Sequence, residues 1–493
     1  MTTTSPSRQL NKQVSFFGLV ALGLGGVWGT SWLVVSSAWL SQGGGVLTVL
    51  LAWVLIGVVE LPFVLAYRRA VPMFPKAEGE MSYAHAAFGR GAGFWAAWFG
   101  IIVNLIVCAY EVVALVRLTN FLWPAITKHS WYTFQGSPVN LLTMTLGLGL
   151  VLGISVLHYR GVTISSTFTK IVSSTLMILV AIGVVMAFAF GDFGNFRPLY
   201  TKPVFAGVIA VAAMLPFSLA GWESIAKGAE EARSSRTSGD AVPIAWGAGW
   251  IAYVFTVIAT ALVIPWQDGA KESIPFATGL SHVAGGKWAG NLLIVTAIIG
   301  VVGVYNALFY SLSRQMFGMA RRGLLPAWMS DLHPRHKTPH KVIIFVTAIL
   351  LVAPFLGRGF LLSYVDAASF AYIVLWGATF LSVVTLRRRF AGTPKQFRSS
   401  GGVWMERLGY ASILFMLGVM LIPSSPGSLI WPEEHVILVG LIALGGALYA
   451  LTKRGHRGYR DDRTSIDLRI PDELAQSSPE EALHSAVKPP ALT

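Results

Sequence analysis

The residues with the greatest capacity for chemistry are acids placed where acids are costly. Glu111 and Glu223 each stand inside a long apolar run. An ionisable group at membrane depth costs at least about 2.5–3.5 kcal/mol on insertion scales, so each needs a partner or a purpose. Glu111 could attract a cationic group, or it could work with Arg117, six residues on, to fix the outer end of its helix. Asn104 lies two helical turns before Glu111 and shares its face; a core hydrogen bond and a pocket role are both open to it. Two further features act through the backbone. The run Gly23-Leu24-Gly25-Gly26-Val27-Trp28-Gly29-Thr30-Ser31 places four glycines in seven residues, and Pro216 removes a backbone donor just before Phe217-Ser218-Leu219-Ala220-Gly221-Trp222-Glu223. Inside a membrane, unwound backbone is tolerated where it is buried in protein or lines a cavity. There, freed N–H groups hold an anion and freed carbonyls hold a cation or an ammonium.

The elements that must position these groups are membrane helices. Of the 493 residues 54% are hydrophobic and 12% charged, against roughly 25% charged in soluble domains. A spanning helix needs about 20 predominantly apolar residues. Twelve such segments are expected, at about 15–40, 46–66, 92–121, 139–157, 163–190, 205–226, 243–264, 288–320, 341–357, 361–386, 407–423 and 434–452. The formal charge of +14 is a topology signal and does not call for nucleic acid. With both termini in the cytoplasm, only Arg117, Lys128, Arg197, Lys202, Lys271, Lys287 and Arg358 of the 37 basic residues fall outside, as the positive-inside rule requires. The arginine clusters at 321–322 and 387–389 then anchor at the headgroups of the lipid bilayer.

The first apolar run, about Phe16 to Leu40, is too long for a signal peptide core. Residues 1–14 form a cytoplasmic N-terminal segment, 15–452 the transmembrane domain, and 453–493 a polar cytoplasmic tail expected to be disordered. Met73 to Gly89 reads as a short interfacial helix. Cys108 is the single cysteine, so one chain has no disulfide framework.

Interruptions in the first and sixth spans, five spans apart, point to an inverted-repeat transporter with its site at the breaks. The plainer reading of the glycines is close helix packing. Trp28 and Trp222 flank the two breaks and could line a pocket or act as gates, whereas Trp39, Trp123, Trp131, Trp266 and Trp431 fit an aromatic belt. Asp366 and Glu60, near span ends, read as structural acids. His333, His336 and His340 have a spacing open to metal ligation, but Pro334 and Pro339 break the helix, and Arg335, Lys337 and Lys341 would repel a cation. No metal site is expected.

These residues also carry a resemblance. Gly25-Gly26-Val27-Trp28-Gly29-Thr30-Ser31 resembles the G-x-x-x-G-[ST]-G signature of the amino acid, polyamine and organocation transporter superfamily. Met73 to Tyr83 is similar to its "FPxxGGxYxY" loop, Phe217 to Glu231 to its "FxxxGWExxxxxAEE" stretch, and Ser313 through Pro326 to its "SR…ARDGLLP" segment. The resemblance covers about residues 10 to 455. It implies an all-α polytopic fold of the leucine-transporter type: inverted five-helix repeats at about 15–190 and 205–386, with two extra helices at about 407–452. It also implies a substrate site. A substrate carboxylate would meet N–H groups and a hydroxyl near Gly29, Thr30 and Ser31, and an ammonium would meet carbonyls near Val27, Phe217 and Ala220. Phe217 matches an aromatic cap over the substrate, and Glu223 an acid beneath it.

The chain departs from the pattern in three places. Ser31 replaces the third glycine, Glu78 stands where the loop motif has its first glycine, and Arg322 replaces the acid of "ARDG". Sodium-independent members carry a lysine in mid span five, where this alignment has Leu176 or Met177, with Lys170 two turns away.

The expected function is a secondary permease for a small amine-bearing substrate, an amino acid first and a carboxylate-free amine such as ethanolamine or a polyamine second. A membrane enzyme is disfavoured because no nucleophile, base and orienting residue can be placed together. A membrane sensor that binds without transporting is the reading from a different class. No G-x-x-x-x-G-K-[ST] motif is present, so no ATP is expected and a gradient or exchange supplies the energy. No cofactor is expected. The coupling ion would be H+, with Glu223 as the titrating group, or Na+ held by span-one carbonyls and a span-eight hydroxyl such as Ser311.

Overall fold

The structure, a computed structural model, describes residues 10, 12–124, 130–134, 137–355, 361–389 and 402–455. The polar tail beyond 455 and most of the first nine to eleven residues lie outside the described part. In chain order the helices are α1 Phe16–Val27, α2 Ser31–Val34, α3 Ser36–Gly43, α4 Val46–Met73, α5 Glu80–Phe88, α6 Arg90–Leu122, α7 Leu141–Arg160 and α8 Val162–Phe190. They continue as α9 Val204–Leu219, α10 Ser224–Gly228, α11 Ser235–Ser238, α12 Ala241–Val263, α13 Trp266–Gly269, α14 Pro275–Val283, α15 Lys287–Arg321, α16 His340–Leu350, α17 Leu361–Arg389, α18 Gly402–Leu421 and α19 Glu433–Gly455. A hairpin of β1 Tyr132–Phe134 and β2 Ser137–Val139 pairs antiparallel, Thr133 opposite Pro138.

Among the described residues ten helical segments are long and apolar enough to cross a membrane, and two shorter apolar helices, Met144–Arg160 and His340–Phe355, stand at the fourth and ninth expected spans. Burial sorts them. In α6, 83% of the most apolar stretch is buried, against 11% in α19, so α6 lies at the centre and α19 faces outward. Around α6 stand α15, α17 and α5, while α1 packs on α8, α12 and α15, and α4 on α9, α12 and α17.

Several expected boundaries move. Helix α4 continues through Pro62 and Pro72 to Met73, so the interfacial helix begins only at Glu80. The ninth span stops at Leu350 and gives way to a 3-10 turn at Ala353–Phe355, where Pro354 cannot continue an α-helix. Proline does not break the sixth span: α9 passes through Pro216 to Leu219, and the Phe217 N–H donates to Ser369 Oγ at 3.1 Å. The β-hairpin and the outer helices α13 and α14 carried no periodic signal strong enough to be expected.

Candidate functional site

Both interrupted spans are present. Helix α1, capped by Ser15 Oγ accepting from the Gly18 N–H at 3.1 Å, ends at Val27, and α2 starts at Ser31. The second break, Ala220 to Glu223, separates α9 from α10. The breaks touch. A Cβ built on Gly26 would lie 2.6 Å from the Gly221 carbonyl oxygen, and one on Gly221 would lie 2.2 Å from the Gly26 carbonyl carbon. Gly221 also has a φ of +107°, which strains any residue with a side chain. Two backbones therefore cross with no side chain between them, and this is why glycine stands at both positions.

The predicted site residues sort around this crossing. Thr30 and Ser31 are buried at the start of α2. The Val27 carbonyl accepts from the Tyr253 hydroxyl at 3.1 Å. Gly29 is backed by Gly300 of α15, whose added Cβ would lie 2.6 Å from the Gly29 oxygen. Glu111 reaches the same place from α6: Thr30 Oγ1 donates to Glu111 Oε2 at 3.4 Å, and a Cβ on Gly29 would meet Glu111 Oε1 at 2.3 Å. The expected position for a substrate carboxylate thus already faces a protein carboxylate. Asn104 is buried on the same helix.

At the second break, the Glu223 carboxylate accepts from the Gly221 N–H at 2.8 Å, so it caps its own break from within. Ala220 is extended and buried. The Phe217 ring meets Tyr110 edge-on at 4.8 Å between centroids. The two tryptophans pack on other aromatic rings. Trp28 stacks on Tyr253 at 4.8 Å, and Trp222 stacks on Trp376 at 5.2 Å. Both are wholly buried in aromatic packing.

The residues considered for ion coupling take the following places. The α8 residue that meets the end of α1 is Ser173, which donates to the Ala21 carbonyl at 3.0 Å and abuts Gly25; it lies about one turn before Leu176 and Met177. Lys170 packs against Gly18. On α15, Gly303 faces Gly25, and Ser311 is eight residues further along, about 12 Å at 1.5 Å per residue.

On the side of the breaks where Val14 meets Glu231, charged side chains close the protein. Lys227 Nζ sits 2.5 Å from Glu80 Oε1, both side chains fully buried, and Tyr67 donates to the same oxygen at 2.8 Å. Arg321 bridges Glu78 at 3.1 Å and Glu230 at 2.5 Å, and Arg322 bonds Glu78 at 3.0 Å. Arg314 pairs with Glu231 at 3.4 Å and lies over the Tyr310 ring, whose hydroxyl also bonds Glu231. The N-terminal segment joins them: the Val14 N–H donates to the Glu231 carbonyl at 2.8 Å and the Arg233 N–H to the Val14 carbonyl at 2.9 Å. For Glu78, burial raises the pKa, but Arg321 and Arg322 outweigh it and hold the carboxyl below the usual carboxylate range. Sequence reasoning missed Lys227 and Glu80 as partners, although a lysine four residues after Glu223 in an apolar run carried the signal.

Glu60 accepts from Trp246 Nε1 at 2.8 Å, a structural contact. Rings of His333, His336 and His340 gather around Tyr159 at 5.2–6.3 Å between centroids. His333 Nδ1 is taken by the N–H groups of Arg335 and His336. Among the described residues no group of three His, Cys, Asp or Glu has a metal-holding arrangement. The opposite face is open, with a cavity of about 300 Å³ between α2, α3, α6 and the first turns of α17 that reaches down to Tyr110.

Comparison with known proteins gives this arrangement a family. A family model described as amino acid permease matches residues 14–446. The chain is 24% identical to the branched-chain amino acid permease BcaP of Bacillus subtilis, over 92% of this chain and 96% of that protein. It is 26% identical to the glutamate/serine transporter AimA of the same organism, over 82% and 76%. It is 24% identical to the methylthioribose transporter of that organism, over 81% and 86%. A mainly helical multi-pass protein whose first and sixth spans break against each other, and which matches this family's model over nearly its whole length, is a membrane transporter belonging to the amino acid permease family.

Proposed function

We propose that the chain moves an amino acid across the plasma membrane by alternating access, as a secondary transporter with both termini in the cytoplasm. Its two halves, about 15–190 and 205–386, would act as inverted five-helix repeats, with 407–452 as two accessory helices. The contact between the breaks at Gly26 and Gly221 supports that division, as do the amino acid substrates named for BcaP and AimA.

The observation that carries the coupling mode is Glu111 against Gly29 and Thr30. Two carboxylates sharing one small buried site cannot both stay ionised. A substrate carboxylate bound at Thr30 and Ser31 therefore requires Glu111 to be neutral, and the proton it takes travels with the substrate. Proton coupling through Glu111 replaces the expected role of Glu223, whose carboxylate is engaged by Gly221. Exchange remains compatible with the same site.

The same observation favours a second reading. An ionised Glu111 would attract an ammonium, which suits an amine without a carboxylate, and the methylthioribose transporter shows that relatives of this chain are not all named for amino acids. Uptake into proteoliposomes separates the two, using leucine, glutamate, serine, ethanolamine and putrescine, each with and without an inward proton gradient and sodium. The proposal expects gradient-driven amino acid uptake that Glu111→Gln uncouples from the gradient. Accumulation of amines alone overturns it, and binding without flux would identify a sensor.

A further inference from the structure

The cavity between α2, α3, α6 and α17 has a polar wall and one charged lining group. Ser37, Ser41 and Gln42 of the first span line one side, and Tyr110 and Arg117 of α6 the other. Tyr110 and Arg117 are seven residues apart, so they share a helix face about 10.5 Å apart along the axis. Arg117 Nη2 also donates to the Ser273 carbonyl at 3.5 Å, which holds the guanidinium at this level. At the rim, Lys202 Nζ donates to the Ser41 carbonyl at 2.8 Å. The nearby Asp268 pairs with Lys271 at 3.7 Å. Among the described residues Arg117 is thus the one cation of the lining, with Lys202 beside it at Ser41, and the floor is Tyr110, whose ring meets Phe217 edge-on. Glu111, the next residue in the chain, faces Thr30 at the first break.

We propose that this cavity is an outer binding site for the substrate, in which Arg117 recognises the carboxylate before Tyr110 and Phe217 part to admit the molecule to the first break. The inference rests on the amino acid reading above and adds a selection step to it. At about 300 Å³ the space takes one amino acid. A guanidinium fork suits a carboxylate, and a cationic mouth raises the local concentration of anionic groups. A carboxylate-free amine gains nothing here and is repelled at the rim. Arg117 is therefore a specificity-determining residue placed before the central site.

The test compares leucine with isopentylamine, and lysine with cadaverine, on purified protein by thermal stabilisation and by uptake. Arg117→Gln is expected to raise the amino acid KM about tenfold, the size of a lost charge-assisted contact of about 1.4 kcal/mol, with the maximal rate changed less than about twofold. Stabilisation by the two amines should be unchanged or stronger. Arg117→Lys should restore part of the loss as a point charge, and raised salt should weaken amino acid capture in wild type but not in Arg117→Gln. Ser41→Trp, which fills the cavity without touching the charge, should slow amino acid entry. An Arg117→Gln protein that keeps the wild-type KM for leucine while transporting it overturns the inference and leaves the amino acid reading intact. Equal losses for leucine and isopentylamine overturn it as well, because they mark a structural role. If neither leucine nor lysine is bound or moved by wild type, both readings fail together.

Discussion

Arg322 Nε donates to Glu78 Oε1 at 3.0 Å, joining two residues 244 positions apart that each depart from the motif they otherwise resemble. One position carries an acid where a glycine is the pattern, and the other a base where an acid is the pattern. The two departures are a single compensated change, and Arg321 and Glu230 complete a four-charge lock with them.

Breaking that lock should loosen the terminal face. Glu78→Gln leaves Arg321 and Arg322 sharing Glu230, and because the arginines keep 17% and 22% side-chain exposure, a cost of about 2 kcal/mol is expected, between that of surface and buried pairs. Differential scanning fluorimetry reads the loss. Cysteine accessibility on the inner end of α10, read on the same variant, should increase.

The lock should also respond to acid in one direction only. Arg321 and Arg322 hold the Glu78 carboxyl low in the folded protein against the opposing effect of burial. Such a group contributes stability above its unfolded value, about pH 4.3, and loses that contribution as pH falls through the folded value. Stability of the wild type should therefore include a component that is flat from about pH 5 to 8 and lost in stronger acid, and Glu78→Gln should lack it. A wild type and variant with parallel melting curves down to pH 3 would rule this out.

Lys227 and Glu80 should behave as a buried pair. Lys227→Met strands a carboxylate with no exposure and is expected to cost about 3–5 kcal/mol. Pairing it with Glu80→Gln should recover most of that, since both charges are then gone. The coupling energy from the double-mutant cycle is the check, and additive losses would contradict the pairing.

The crossing of the breaks should tolerate no side chain. Gly221→Ala places a methyl group within 2.2 Å of the Gly26 backbone and forces a positive φ on alanine. Transport should fall at least about tenfold while membrane insertion persists, because the defect is a local strain of a few kcal/mol. Gly149→Ala, where nothing lies within 4 Å of the added methyl, should have no such effect on uptake or melting temperature.

Much of this was readable from residue order, and the reasons differ by element. The spans were legible because apolar length is a local property. The first break was legible because four glycines crowd into it. The second was only half legible: Pro216 drew attention to the right span, but the chain unwinds four residues later. There Gly221 must pass Gly26, while the donor of Phe217 is picked up by Ser369. The acids Glu111 and Glu223 stood out by their cost, yet their partners did not. Thr30 lies 81 positions from Glu111, and no local pattern links them. The same holds for Tyr253 on Val27 and for Lys227 on Glu80. Long-range polar pairing is set by how helices stack, and hydropathy carries no record of it.

The strand-like pairing of Val14 with Ala232 turns the start of the chain into a lever. Gln13 and Val14 are bonded to the segment that follows α10 and lead directly into α1. The two ends of this short tether are thus the inner halves of both interrupted spans. When those halves separate, the tether must either travel with one of them or peel away. A fluorophore placed at Lys12 would sit next to the joint itself, and any factor that grips Gln13 and Val14 would hold both half-helices at once.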